Sequence, residues 1–290
     1  MATPVIEMMR EKYQEAHISV LLPKALAPLL EKDPHLNAVI GFTSYRSLYE
    51  MMRRERYDLG ILLTNSFSSA FLMCLARVKK RIGYLGDGRR LFLTKAVKRP
   101  LKKQHLVKTY QELLGGDGSL LPTLYPDEVD KKGSRRVIGI HAGAAYGPAK
   151  CWPAERFRAL AEALKENYTV LFFGDAASRD AIEEMTKNLG PSVINLAGKT
   201  SIRQLMSVMK TCDVCVTNDS GPMHMADALG VPLVALFGST DPRITGPYRS
   251  KDVIWKQVSC SPCFKRVCPI DFRCMTSISV EEVLRRVQSF

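Results

Sequence analysis

The chain has 290 residues, 46% hydrophobic and 24% charged, an ordinary balance for one large globular core or two smaller ones. Lysine and arginine total 42 against 29 acids, a formal charge of +13 that suits polyanionic partners. No apolar run approaches the roughly 20 residues of a membrane span. The opening MATPVIEMMREKY lacks the basic-then-apolar pattern of a signal peptide, so a cytosolic protein is expected.

In chain order, an amphipathic stretch at about 4–15 precedes the strand-like run ISVLL (18–22). AVIGF (38–42), LGILL (59–63) and RIGY (81–84) are further strands, with helices near 44–56 and 66–77 between them. From Arg77 to Lys103 stand Arg77, Lys79, Lys80, Arg81, Arg89, Arg90, Lys95, Lys98, Arg99, Lys102 and Lys103, opposed by Asp87 alone. Such a segment fits nucleic acid, a phosphorylated glycan or an anionic membrane surface, or is simply a solvated face. It has no interleaved aromatics and no nucleic-acid motif, so nucleic acid is not expected as a partner.

A helix near 103–114 is followed by GGDGSLLPTLYPDEVDKKGSRR (115–136), rich in Gly, Pro and charge, which reads as a boundary between domains 1–130 and 131–290. The pattern then restarts. Strands are expected at 137–141, 169–173, 193–196, 214–217 and 233–237, with helices at 154–166, 178–189, 201–210 and 222–229, a Cys-rich segment and a final helix. Regular alternation predicts an α/β fold: two Rossmann-like, doubly wound domains of parallel strands facing across a cleft, with ligands outside the carboxyl ends of the strands.

Four loops at those ends are unusual. HAGAAYGPAKCWP (141–153), FGDAAS (173–178), TNDSGPMH (217–224) and FGSTDPRITGP (237–247) combine small residues with hydrogen-bonding ones, and Lys150 adds a point charge. In TNDSGPMH a capped turn is one reading, with Asp219 or Ser220 as N-cap. A ligand site is the other, because a helix N-terminus favours anionic groups. Neither a GxGxxG fingerprint nor a Walker lysine motif is present.

Of eight cysteines, Cys74, Cys151, Cys212 and Cys215 are scattered, and the last two flank a strand as small core residues would. Cys260, Cys263, Cys268 and Cys274 cluster in CSPCFKRVCPIDFRCM. Four thiolates at this spacing could hold a structural zinc ion, or pair as disulfides that a cytosolic setting disfavours.

AAYGPAKCWP, TNDSGPMHMADALGVPLVALFGSTDP, TGP and CSPCFKRVCP…CM, in this order and spacing, resemble the ADP-heptose:lipopolysaccharide heptosyltransferases, glycosyltransferase family 9. The similarity runs through nearly the whole chain and is greatest to the type that adds the second heptose of the inner core. It implies a GT-B fold, with an acceptor-binding first domain, an ADP-sugar-binding second domain and an inverting transfer. It implies ADP-heptose as donor, an inner-core glycolipid acceptor and a cytoplasmic enzyme peripheral to the membrane; the sequence itself shows no required cofactor and no metal site at the reaction centre. On matching positions it places Lys150 on the diphosphate beside the Gly143 and Ala144 backbone, Asp219 on heptose hydroxyls, and Ser220, Gly221 and His224 against the diphosphate. Asp180 and Glu183 lie near enough to a nucleoside to note, but take no assignment.

The family pattern opens with a strand and a loop bearing an aspartate that acts as general base. Here MATPVIEMMREKY matches the helix that follows, with Thr3 as cap and Pro4 in the first turn, so the first domain is expected to lack that strand and base. Glu7 is the one nearby carboxylate that could substitute. Ala142 and Cys151 also depart from common family residues. Another transferase of the same fold, a UDP-sugar epimerase, and an ADP-sugar binder without turnover stay open as alternatives.

Overall fold

The computed structural model describes residues 1–130 and 133–290, and the chain divides into two units, Met1–Pro122 and Thr123–Phe290. The boundary expected at 130/131 falls on Lys131 and Lys132, which lie outside the described residues.

In the first unit, strands β1 (Ser19–Pro23) and β2 (Ala38–Phe42) pair in parallel. Strands β3 (Leu59–Leu62), β4 (Lys80–Tyr84) and β5 (Lys95–Val97) form a second parallel sheet. Among the described residues no strand joins the two, in a domain expected from sequence to lack its first strand. Helix Tyr45–Glu55 begins with a reciprocal Ser44–Ser47 capping box and buries Leu48 and Met52 against Ala76 and Val78. The first helix spans Thr3–Lys12, with Ala2 at the N-cap and no capping side chain, so Thr3 sits inside the helix rather than capping it.

The basic segment is only partly a solvated face. Arg89 is fully buried and its Nε donates to the Tyr84 carbonyl at 2.7 Å. Half-buried Arg81 donates through Nε to the Phe92 carbonyl at 2.7 Å. The other bases from Arg77 to Lys103 are exposed, and so are Leu91 and Leu101 between them.

The second unit holds β6 (Val137–His141), β7 (Thr169–Phe173), β8 (Val193–Asn195), β9 (Val214–Asn218), β10 (Leu233–Phe237) and β11 (Val253–Trp255). All are parallel, in the order β11-β10-β9-β6-β7-β8. Both faces of such a sheet are covered, so its strands are apolar almost throughout. Ile138, Ile140, Val214, Val216, Val234 and Leu236 join one buried cluster with Phe157, Leu160 and Leu164 of helix Ala154–Leu164 and Val283 and Val287 of helix Val280–Gln288. Helices Ile202–Lys210 and Gly221–Ala228 pack on each other, the latter against β9 and β10. The doubly wound arrangement expected from the alternating pattern is realised here. Sheet order reverses between β6 and β9, where Ile138 pairs with Val214 and His141 with Thr217. A crevice opens outside the carboxyl ends of two such strands because their connections leave in opposite directions. Among the described residues, no helix is long and apolar enough to cross a membrane.

Candidate functional site

Both loops leaving that reversal point carry the residues singled out by sequence. The chain leaves β6 through residues 142–153 and leaves β9 through Asp219 and Ser220 into helix Gly221–Ala228. Asn218, the last residue of β9, ties the first loop at both ends. Its Oδ1 accepts from the Trp152 amide at 3.0 Å, and its Nδ2 donates to the Ala142 carbonyl at 2.7 Å. Trp152 is itself locked, donating through Nε1 to the Ile278 carbonyl at 2.9 Å and meeting the Phe157 ring edge-on. Lys150 stands between these anchors at the end of the short turn Pro148–Lys150.

Lys150 donates from Nζ to Asp219 Oδ2, joining loops 69 residues apart. Their side chains are 12% and 5% exposed. Thr240 Oγ1 donates to the same oxygen at 2.6 Å, bringing in the loop after β10. Lys150 Nζ also lies 4.6 Å from the centre of the Tyr146 ring. A cation held this way keeps a fixed place, which suits recognition of an anion that arrives and leaves.

The capped-turn reading of TNDSGPMH does not describe the chain. Ser220 occupies the N-cap with extended backbone, yet no side chain caps the helix. Its Oγ lies 3.2 Å from His141 Nδ1 instead, and the Asp219 carboxylate is held by Lys150 and Thr240. The first turn of Gly221–Ala228 thus keeps the partial positive charge of a helix N-terminus without a side-chain acceptor on it. Gly221 borders open space, with nothing within 4 Å of where a Cβ would stand. His224 lies one turn in, half-buried. Gly143, beside the His141 ring, and Ala144 continue the rim from β6.

His141 is the residue the sequence reading missed. It closes β6, pairs with Thr217 and reaches Ser220. Burial pushes its pKa down to about 4, with the Asp175 carboxylate pulling weakly the other way, so the ring is neutral near pH 7. Asp175, exposed at the end of β7, accepts from the Ser178 amide at 2.9 Å and its hydroxyl at 2.6 Å, which lower its own pKa. A histidine ending a strand at the reversal point was the available signal.

Other expected residues lie elsewhere. Glu183 accepts from Asn195 Nδ2 at 2.8 Å, while Asp180 is exposed on the same helix. Glu7 is half-buried on helix Thr3–Lys12 of the first unit. Cys260, Cys263, Cys268 and Cys274 are unlinked and line one cavity of about 160 Å³. Among the described residues no three His, Cys, Asp or Glu side chains stand at metal-ligating geometry.

Residues 45–272 match the model of glycosyltransferase family 9 (heptosyltransferase). The chain is 32% identical to lipooligosaccharide heptosyltransferase 2 of Haemophilus influenzae, over 88% of this chain and 84% of that protein. It is likewise 32% identical to lipopolysaccharide heptosyltransferase 2 of Escherichia coli K12, over 87% of this chain and 82% of that one. The solved structure of E. coli ADP-heptose lps heptosyltransferase II is similar with a TM-score of 0.84 at 30% identity, covering 99% of this chain and 93% of that one. A family 9 glycosyltransferase from Veillonella parvula gives 0.84 at 25% identity, over 99% and 92%.

Proposed function

The chain belongs to glycosyltransferase family 9, the heptosyltransferases, and on that premise we propose that it moves heptose from ADP-heptose to the inner core of lipopolysaccharide as its second heptose. The observation that carries the donor half of this reading is the Lys150–Asp219 pair beside an uncapped helix N-terminus at the sheet's reversal point.

In an inverting transfer the acceptor hydroxyl oxygen attacks the heptose anomeric carbon from the face opposite ADP. The bond from that carbon to the diphosphate oxygen breaks, its electron pair stays on ADP, and the hydroxyl proton passes to a base. Charge therefore grows on the departing diphosphate. Lys150, the Gly221–Ala228 N-terminus and the backbone at Gly143 and Ala144 supply positive ends for it, while Ser220 and His224 complete the rim. Asp219, besides holding Lys150, is placed to accept hydrogen bonds from heptose hydroxyls.

The exposed bases of the first unit suit an acceptor presented at an anionic membrane surface. Leu91, 85% exposed, and the fully exposed Leu101 stand among Arg90, Lys98, Arg99, Lys102 and Lys103. Each base near such a surface contributes about 1 kcal/mol. On this reading the enzyme works at the cytoplasmic face of the membrane without crossing it.

The test is transfer itself. With ADP-heptose and a core acceptor bearing one heptose, the chain is expected to release ADP and lengthen the acceptor by one heptose. Consumption of a UDP-sugar without acceptor would make it an epimerase. Tight binding of ADP-heptose with no turnover would make it a binder.

A further inference from the structure

Cys260, Cys263, Cys268 and Cys274 do not behave as core cysteines. Cys212 and Cys215 fill the interior at 6% and 1% exposure, as free cysteine does when it serves as a small apolar residue. Of the late four, Cys274 alone is buried; the others are half-exposed, yet all four turn toward one cavity of about 160 Å³. The two charged side chains lining that cavity, Lys265 and Arg273, are both basic. The Ser239 hydroxyl lines it too, buried and without a hydrogen-bond partner.

The segment carrying these thiols is held by side chains rather than by regular structure, Ser261 Oγ donating to the Gly238 carbonyl at 2.6 Å and Val258 and Phe272 packing on the core. Between β11 and the short helix Arg273–Thr276 it forms no helix or strand, and Phe264, Val267 and Ile270 face outward. It nevertheless braces both donor loops. The Arg266 carbonyl accepts from the Ala149 amide at 3.0 Å, next to Lys150, and Tyr146 Oη donates to the Phe264 carbonyl at 2.6 Å. The Phe264 amide donates to the Ser239 carbonyl at 2.7 Å, in the loop that carries Thr240. Only glycine fits at 147, with φ of +148° and the Arg266 carbonyl 2.5 Å from where a Cβ would stand. An irregular segment of this length inside a compact unit is uncommon and usually functional.

We propose that Cys260, Cys263, Cys268 and Cys274 form a tetrathiolate site for one zinc-like divalent ion, and that the bound ion fixes the brace that positions Lys150. Each thiol gives its proton to solvent as its sulfur takes the metal, so the filled centre carries a net charge of −2. Lys265 offsets part of that charge, Arg273 being already paired with Asp271 at 2.7 Å, and the Ser239 hydroxyl is available to donate to a ligating sulfur. Among the described residues the thiols do not stand at metal-ligating geometry, so uptake must draw them together to zinc–sulfur bonds of about 2.3 Å.

The second half of this inference rests on the donor reading above; the first does not. The experiment uses the full chain, reduced and stripped with chelator, then reloaded with zinc or with cobalt(II). One ion per chain is expected, with the thiolate-to-cobalt charge-transfer bands of a tetrahedral sulfur site. Cys263→Ser with Cys274→Ser should abolish uptake, and Cys74→Ser should leave it intact. Removing the ion should weaken ADP binding about tenfold, within the usual range for coupled sites.

A folded, reduced chain that takes up no ion overturns the site, as does equal uptake by the double serine variant. Should that variant fail to fold, the cobalt spectrum of the unaltered chain decides: bands without sulfur charge transfer overturn the site. Stoichiometric metal with unchanged ADP affinity overturns the brace. Stoichiometric metal with no ADP binding in either state supports the metal site and contradicts the donor reading instead.

Discussion

Lys150 and Asp219 illustrate how much one buried pair can be asked to do. Alone, an ion pair this enclosed adds little net stability, because desolvation offsets most of the attraction, but removing one partner strands the other charge. Asp219→Ala is therefore expected to lower unfolding free energy by about 3 kcal/mol, and Thr240→Val by about 1 kcal/mol. Urea titrations at neutral pH check both, and the reverse order would contradict the geometry. His141 makes a separate prediction. Its folded pKa of about 4 lies below the ordinary value of 6.5, so between those values the unfolded chain binds more protons. Stability from this group is complete above pH 6.5 and declines as pH falls toward 4, by up to about 3 kcal/mol. His141→Gln should flatten that limb of the profile. An unchanged slope between pH 6.5 and 4 would show that the ring is not held neutral by its surroundings.

At the scale of elements, helix Gly221–Ala228 forgoes a side-chain cap because Ser220 turns to His141. A carboxylate at that N-cap should occupy the first-turn amides itself. Ser220→Asp is expected to raise stability by about 0.5–1 kcal/mol while weakening ADP binding. Melting curves and ADP titration read the two effects, and tighter ADP binding would sink the anion-site reading. This arrangement was only half legible in sequence. The strands of the second unit stood out because burial on both faces makes them continuous apolar runs, and the small-residue loops marked their carboxyl ends. Strand β11 and strand β5 were missed, each three residues long, the latter starting from Lys95 inside a basic stretch. Ser220's failure to cap depends on a histidine 79 residues away, and local pattern carries no trace of such a partner. His141 itself read as an ordinary strand end. The basic segment misled in the other direction, since Arg89 is a buried scaffold residue rather than part of a charged face.

For the molecule as a whole, the proposed function assigns sugar donor and membrane surface to different units. The second unit contains the full six-stranded sheet, its core cluster and the Lys150–Asp219 pair. The first carries the exposed bases and leucines. Because Arg81 and Arg89 serve the interior and Lys79 pairs with Asp58 at 2.7 Å, the informative substitutions lie further along. Lys102→Glu with Lys103→Glu should reduce sedimentation with vesicles containing anionic lipid, with the loss growing less visible as salt is raised. ADP affinity should not change. Equal sedimentation at low salt would remove the membrane from this account.

On the proposed reading, the reversal point of the second sheet binds an adenosine diphosphate group through Lys150 and an uncapped helix end. Calorimetric titration of the intact chain and of Lys150→Ala with ADP and with UDP tests it most directly. Saturable binding of ADP is expected, with much weaker binding of UDP and a loss of about tenfold or more in ADP affinity without Lys150, as for one charge-assisted phosphate contact. Equal binding of the two nucleotides, or ADP affinity indifferent to Lys150 in a folded protein, would contradict it.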